Sequence, residues 1–207
     1  MNNSAQLPAL TGMLLSATLF PKEGDCMTIP DHDELAELIR LDEPDELWDI
    51  YDEAGEKTGR IQRRGDPFSA GDRHLCVHVW VRNLRGEYLL TKRAENKAMP
   101  GLWECTGGSA LLGEDSLTAA LREVREETGL VLDPENGELL FRFSGDHFYC
   151  DVWRFTQDFA ESGIVLQPGE TCAFQLADAD SLRRLDREGR FFAFEDLARV
   201  LAWTDGG

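Results

Sequence analysis

Apolar and polar positions alternate from His74 to Val81, which places Val77, Val79 and Val81 on one face and predicts a β-strand. Leu84-Arg85-Gly86-Glu87 reads as a hairpin turn and Tyr88 to Arg93 as the returning strand. The period then changes. Leu117, Ala120, Leu121 and Val124 fall at i, i+3, i+4 and i+7, the apolar stripe of an amphipathic helix. Asp115 is a fitting N-cap for it, and Gly129 suits the left-handed residue just past its end. Upstream, Leu47 to Tyr51 predicts a strand, Asp52 to Gly55 a turn, and Thr58 to Gln62 a strand pairing back. Downstream, Gly137 to Ser144 and Phe148 to Thr156 predict two aromatic-rich strands joined at Gly145-Asp146. Glu161 to Gln167 is expected as a further strand, and Glu170 to Leu176 as the next, entered through Pro168-Gly169. Asp178 to Glu188 and Glu195 to Trp203 predict helices, with Leu182, Leu185, Leu197, Val200 and Leu201 facing inward. Strands broken by one helix and followed by two more predict an α/β fold, a mixed sheet between helical layers.

Residues 1 to about 45 lack a sustained period. They read as a variable or partly disordered segment open to dimer contacts, with a short helix suggested by Leu35, Leu38 and Ile39. Met27 is an alternative start. Residues 46 to 207 form the expected globular domain, and 207 residues suffice for one sizeable core. The net charge of −18 disfavours a nucleic-acid backbone or an anionic membrane as partner. It does not disfavour a small anionic substrate, because a bound cation reverses the local field. The five cysteines are scattered without a C-x-x-C pair, which predicts reduced thiols and a cytoplasmic location. No apolar run approaches the ~18 residues of a membrane span, and the apolar stretch Met13 to Phe20 lacks the flanks of a signal peptide.

Glu123, Glu126 and Glu127 share a second face of the predicted helix, on average about 120° from the apolar stripe. Like charges one turn apart destabilise a helix by a few tenths of a kcal/mol. Taken alone the three describe a solvated acidic face, but a hard divalent cation such as Mg²⁺ or Mn²⁺ would reverse their repulsion. They do not stand alone. Gly108, Glu114, Arg122, Glu123, Glu126, Glu127 and Gly129, with aliphatic Val124 and Leu130, fit the pattern G-x5-E-x7-R-E-U-x-E-E-x-G-U, where U is aliphatic. A chance match at one start position is on the order of 10⁻⁹ at ordinary residue usage. The segment resembles the Nudix box, and the preceding Pro100-Gly101-Leu102-Trp103-Glu104-Cys105-Thr106-Gly107-Gly108 is similar to the entry of many Nudix hydrolases.

That resemblance implies the Nudix fold, an α/β/α sandwich, and Mg²⁺-dependent hydrolysis of a diphosphate in a nucleoside diphosphate linked to another group. Matched position by position, it implies Glu123 and Glu127 as main metal ligands, Glu126 as a further ligand or water holder, and the Gly108 carbonyl as another donor. Arg122 and Glu114 are implied to orient the loop against the helix. A further glutamate outside the box is expected at Glu170, leaving Glu123 or Glu170 as general base. Arg93, with Gly107 and Gly108, is expected to meet substrate phosphate, and the basic island Arg60, Arg63 and Arg64 offers another contact. Asp146, His147 and Tyr149 are candidates for a pocket mouth. Segments from Trp48 to Gly59, His74 to Trp80 and Thr91 to Trp103 also resemble isopentenyl-diphosphate isomerase and hydrolases grouped with it. His74 matches one metal-binding His of that isomerase, and His78 shares its predicted face. The isomerase's Cys-Gly-His-Pro stretch, however, is Gly107-Gly108-Ser109-Ala110 here, with Cys105 two residues off. A third alternative is a non-catalytic Nudix domain that senses a nucleotide, although such domains usually lose box glutamates that this chain keeps.

Overall fold

The structure, a computed structural model, describes residues 46–192 and 196–204. The N-terminal segment and Glu195 lie outside the described residues. A two-stranded ribbon of β1 (Leu47–Tyr51) and β2 (Lys57–Arg63) precedes a mixed sheet of seven strands. These are β3 (His74–Arg82), β4 (Tyr88–Arg93), β5 (Trp103–Glu104), β6 (Thr106–Ser109), β7 (Gly137–Ser144), β8 (Phe148–Thr156) and β9 (Thr171–Ala177). Three helices are described, α1 (Ser116–Thr128), α2 (Ala179–Arg187) and α3 (Asp196–Thr204).

β3 is the axis of the sheet. One edge runs parallel to β8 over its full length, from His74 opposite Phe148 to Arg82 opposite Thr156. The other edge is divided. β4 meets it only at the hairpin end, Arg82 opposite Tyr88, whereas β6 pairs with it antiparallel from Cys76 to Val79. β4 instead pairs with β5 and, antiparallel, with β9. The sheet therefore splits between β4 and β6.

The period-2 alternation of β3 sorts the core into two layers. Leu75, Val77, Val79 and Val81 face α1, where they pack with Ala119, Ala120 and Val124. Trp80 faces the other way, with Leu90, Val152 and the inward residues of the last two helices, Leu182, Leu185, Leu197, Val200 and Leu201. The expected α/β/α sandwich is what the chain forms.

α1 is capped as its ends predict. Asp115 accepts from Thr118 N at 2.8 Å, and Gly129 lies at φ 72° and donates to Arg125 O. The strand expected at Glu161 to Gln167 is absent, and only a 3₁₀ turn forms at Glu161–Gly163. Its neighbours are engaged elsewhere, Val165 N donating to Thr128 O at 2.9 Å and Gln167 N to Glu127 O at 3.1 Å. The orphan carbonyls that end α1 take the amides a strand partner would have used.

Leu182 is fully buried between α2 and the sheet. Leu182→Ala should lower the unfolding free energy by about 2–5 kcal/mol, read as a lower urea midpoint at unchanged slope.

Candidate active site

A cavity of about 290 Å³ opens where β4 and β6 separate. Its acidic end is built from three elements. Glu104 closes β5, Glu123 and Glu127 rise from α1, and Glu170 ends the loop before β9.

Helix geometry explains why these helix residues are buried and Glu126 is not. Glu127 follows Ala120 by seven residues, about 20° off the same bearing, so it is carried to the sheet with the apolar stripe and is 8 % exposed. Glu126 points about 100° further round, and its side chain is half exposed. Glu123 reaches the β6 backbone. A Cβ at Gly108 would lie 2.2 Å from Glu123 Oε1, so only glycine lets the carboxylate come so close. At Gly107 a Cβ would meet Val77 O at 2.7 Å.

Arg122 holds the frame. Nε and Nη2 donate to the two oxygens of Glu114 at 2.8 and 2.9 Å, and Nη2 also to Ser109 O at 3.0 Å. Nη1 donates to Glu123 and to Glu126, each at 3.0 Å. Glu114 in turn accepts from Leu111 N at 2.8 Å, tying the loop to the helix. Burial pushes the Glu123 carboxyl up to about 7 against the pull of Arg122. Glu127 is held well above its ordinary value by burial and then by Glu104, Glu123 and Glu170. Its Oε2 is buried without a hydrogen-bond partner. Glu104 is raised by burial although Arg93 lies 2.6 Å away.

The remaining candidates fall into place unevenly. Glu170 is paired with Lys97 at 2.5 Å. Arg93 lines the cavity, but its Nε donates to Ala98 O and its Nη1 to Glu104, both at 2.6 Å. Of the basic island, Arg64 reaches the cavity wall and pairs with Glu46 at 3.1 Å, whereas Arg60 pairs with Asp72. His147, just before β8, lines the cavity, but Tyr149 does not: Phe148 and Cys150 take the cavity face of the strand, and Tyr149 between them turns into the other layer, where its hydroxyl donates to Asp52 O at 3.0 Å. His74 and His78 share a face as expected, yet they serve different partners. His74 stacks on Trp48 at 4.2 Å, and burial lowers its imidazole to about 3. His78 bonds Asp196 instead, at 3.0 Å.

Sequence reading missed Glu104, Lys97 and Asp196 as site residues. Glu104 stood inside a recognised motif and was read only as its entry. Asp196 lies 118 residues from His78, and no local pattern joins them.

The NUDIX domain family model matches residues 72–203. The chain belongs to the Nudix family. An uncharacterised Nudix hydrolase of Listeria monocytogenes is 34 % identical over 151 residues, covering 72 % of this chain and 89 % of that protein. Isopentenyl-diphosphate Delta-isomerase of Escherichia coli is 30 % identical over 155 residues, covering 73 % and 77 %. Among solved structures, DR0079 from Deinococcus radiodurans superposes with a TM-score of 0.62 at 24 % identity, over 76 % of this chain and 98 % of that one. This Nudix protein is accordingly a hydrolase with the Nudix fold. Among its described residues no helix is long and apolar enough to cross a membrane, and Cys76, Cys105, Cys150 and Cys172 are free thiols.

Raised carboxyl pKa values set a pH dependence with a definite sign. A group that binds its proton more tightly when folded contributes stability below its unfolded pKa and loses it as pH rises through the folded value. For Glu123 that window runs from about 4.5 to about 7. Asp49, Asp72 and Asp196 are shifted down, so their contribution is lost only in more acidic solution. His74, lowered to about 3, works the other way below about 6.5, but Glu127 and Glu104 are raised together with Glu123 and the three carboxyls outweigh one imidazole. The protein should therefore melt at a higher temperature at pH 5.5 than at pH 8. Melting curves in chelator across that range check it.

Proposed function

We propose that this Nudix hydrolase cleaves a diphosphate bond in a nucleoside diphosphate linked to another group, by water attack at phosphorus and with Mg²⁺ as cofactor. The observation that carries the reading is the convergence of Glu104, Glu123, Glu127 and Glu170, with the buried Glu127 Oε2 unpartnered. Buried carboxylates that repel one another are costly unless a cation joins them. Nudix hydrolases in general use divalent cations, and an all-oxygen donor set fits Mg²⁺, with Mn²⁺ as substitute.

Glu123 and Glu127 are the main ligands, with Glu126, Glu170 and the Gly108 carbonyl completing the set. When bound, the cation neutralises diphosphate charge and lowers the pKa of the water it holds. The chain's own groups do the rest. Arg122 and Glu114 fix the helix against the loop. Gly107 and Gly108 let substrate approach the β6 backbone. Lys97 and Arg93 hold Glu170 and Glu104 in place. Either Glu123 or Glu170 takes the proton of the attacking water. Catalysis of this kind is positioning and electrostatics more than covalent chemistry.

The isomerase relative supports a second reading, but the site favours hydrolysis. Burial holds the Cys105 thiol well above its usual pKa, with Asp196, Glu104 and Glu127 adding to the rise, so no thiolate is prepared there. A sensor without catalysis would have no need of the full carboxylate set.

Purified protein should release phosphate-containing products from at least one nucleoside-diphosphate compound in a panel, only with Mg²⁺ or Mn²⁺. Glu127→Gln should lower kcat at least 100-fold while the fold persists. Isomerisation of isopentenyl diphosphate without cleavage would overturn the reading.

A further inference from the structure

The cavity has a second end, and much of its wall there comes from ahead of the matched domain. Glu46, Trp48, Arg64 and Phe68 line it, although the family model begins at residue 72. The β1–β2 ribbon and the segments that flank it carry these residues. The ribbon is fastened at the start of β3 by Tyr51, whose N and O bond Arg73 at 2.7 and 3.0 Å. Position along β3 separates the two ends of the cavity. Glu123 lies against Gly108, which pairs with Val77. His74 begins the strand three residues earlier, about 10 Å away at the rise of a strand.

Four rings gather around the start of β3. Trp48 stacks on His74 with centroids 4.2 Å and planes 21° apart. Phe68 lies 16° from the plane of Trp48 at 6.3 Å, and 11° from that of His147 at 4.9 Å. Two of the rings are also held at an edge. Trp48 Nε1 donates to Glu46 Oε2 at 3.2 Å, and the same oxygen accepts from Arg64 at 3.1 Å. His147 Nδ1 bonds Asp72 O at 3.2 Å, and the His147 carbonyl accepts from His74 N at 3.0 Å. Exposure rises across the group: Trp48 is 5 % exposed, Phe68 is half-buried and His147 is exposed. The stack therefore begins in the core and ends at the cavity. Another flat ring can join it by the offset stacking that holds its members together, at little entropic cost because the plates are already aligned.

We propose that this aromatic wall is the nucleobase subsite of the hydrolase: the base of the nucleoside diphosphate stacks on Phe68 and His147, while its phosphates lie at Glu123 and Glu127. This rests on the diphosphatase reading above and adds which end of the substrate goes where. The chemistry of the wall decides between the two ends. A polyhydroxylated group would leave its hydroxyls without partners against ring faces. An aliphatic chain would gain from burial but nothing from aligned planes. A base is flat and uncharged, and it uses the alignment. The separation along β3 leaves the pentose between base and phosphates.

Ligands with and without a base test this on the full chain. Calorimetry in Mg²⁺ gives Kd for the common nucleoside 5′-monophosphates and for ribose 5-phosphate, which keeps the sugar and phosphate and lacks the base. At least one monophosphate should bind about tenfold or more tighter than ribose 5-phosphate. Phe68→Ala and His147→Ala should each remove most of that advantage and leave the Kd of ribose 5-phosphate unchanged. His147→Phe, which keeps a plate, should retain it. In turnover the alanine variants should raise KM with kcat nearly unchanged, because the base lies away from the reacting phosphorus. His147 is exposed, so its replacement leaves the fold intact. No advantage of any base over ribose 5-phosphate would overturn the proposal. Variants that weaken both kinds of ligand alike would also overturn it, since that is the mark of a structural cluster. A base advantage that depends on His147 in a protein that cleaves no diphosphate would uphold the subsite and overturn hydrolysis alone. Cleavage indifferent to the base would overturn the subsite and leave hydrolysis standing.

Discussion

The structure depends on one electrostatic constraint: carboxylates are driven into a shared space of low dielectric by the same packing that makes the core. Glu127 cannot leave without taking Ala120 and Val124 off the sheet, because all three lie on nearly one bearing of α1. Glu123 is held against the β6 backbone by a neighbouring arginine and by the absence of a side chain at Gly108. In water each of these groups would ionise freely. Here burial penalises the charge and each ionised neighbour adds to the penalty. The fold therefore stores a demand for positive charge, and the cations it supplies itself, Arg93, Lys97 and Arg122, meet that demand only at the edges.

Much of this was legible in the sequence. Alternation along β3 and the 3.6-residue period of α1 gave both core layers, because each element buries one face and its period says which. The box glutamates were legible because spacing along a helix fixes their relative bearing, and the glycines because only a missing side chain permits the close approach. What could not be read shares one physical origin. The segment from Glu161 to Gln167 has the composition of a strand, but whether its amides join a sheet or the end of a helix depends on what lies nearby in space. Arg93 carries a cation suited to phosphate, yet Glu104 reaches it first. Tyr149 sits in an aromatic stretch whose two sides differ only once the register with β3 is known. The bond between His78 and Asp196 spans most of the domain, beyond any local pattern.

The split edge of β3 gives the site its location. A strand with one full partner and two partial ones leaves a notch in the sheet where backbone and side chains from both layers can meet. Residues of the α1 layer and of the α3 layer reach one cavity there, although the sheet separates them everywhere else. Stability and chemistry are in this way drawn from the same strand: its odd positions pack against α1, while its even positions give Trp80 to the second core layer and His78 to the cavity wall.

The amides of Val165 and Gln167 end α1 by taking its last carbonyls, and the chain then runs only three residues to Glu170. The glutamate outside the box is thus moored to the helix that carries the others. Both bonds run from main chain to main chain, so the tether is indifferent to which side chains stand at Val165 and Gln167, short of proline, which has no N–H to give. The sequence of the strap is thereby left free to vary while the glutamate it delivers keeps its place.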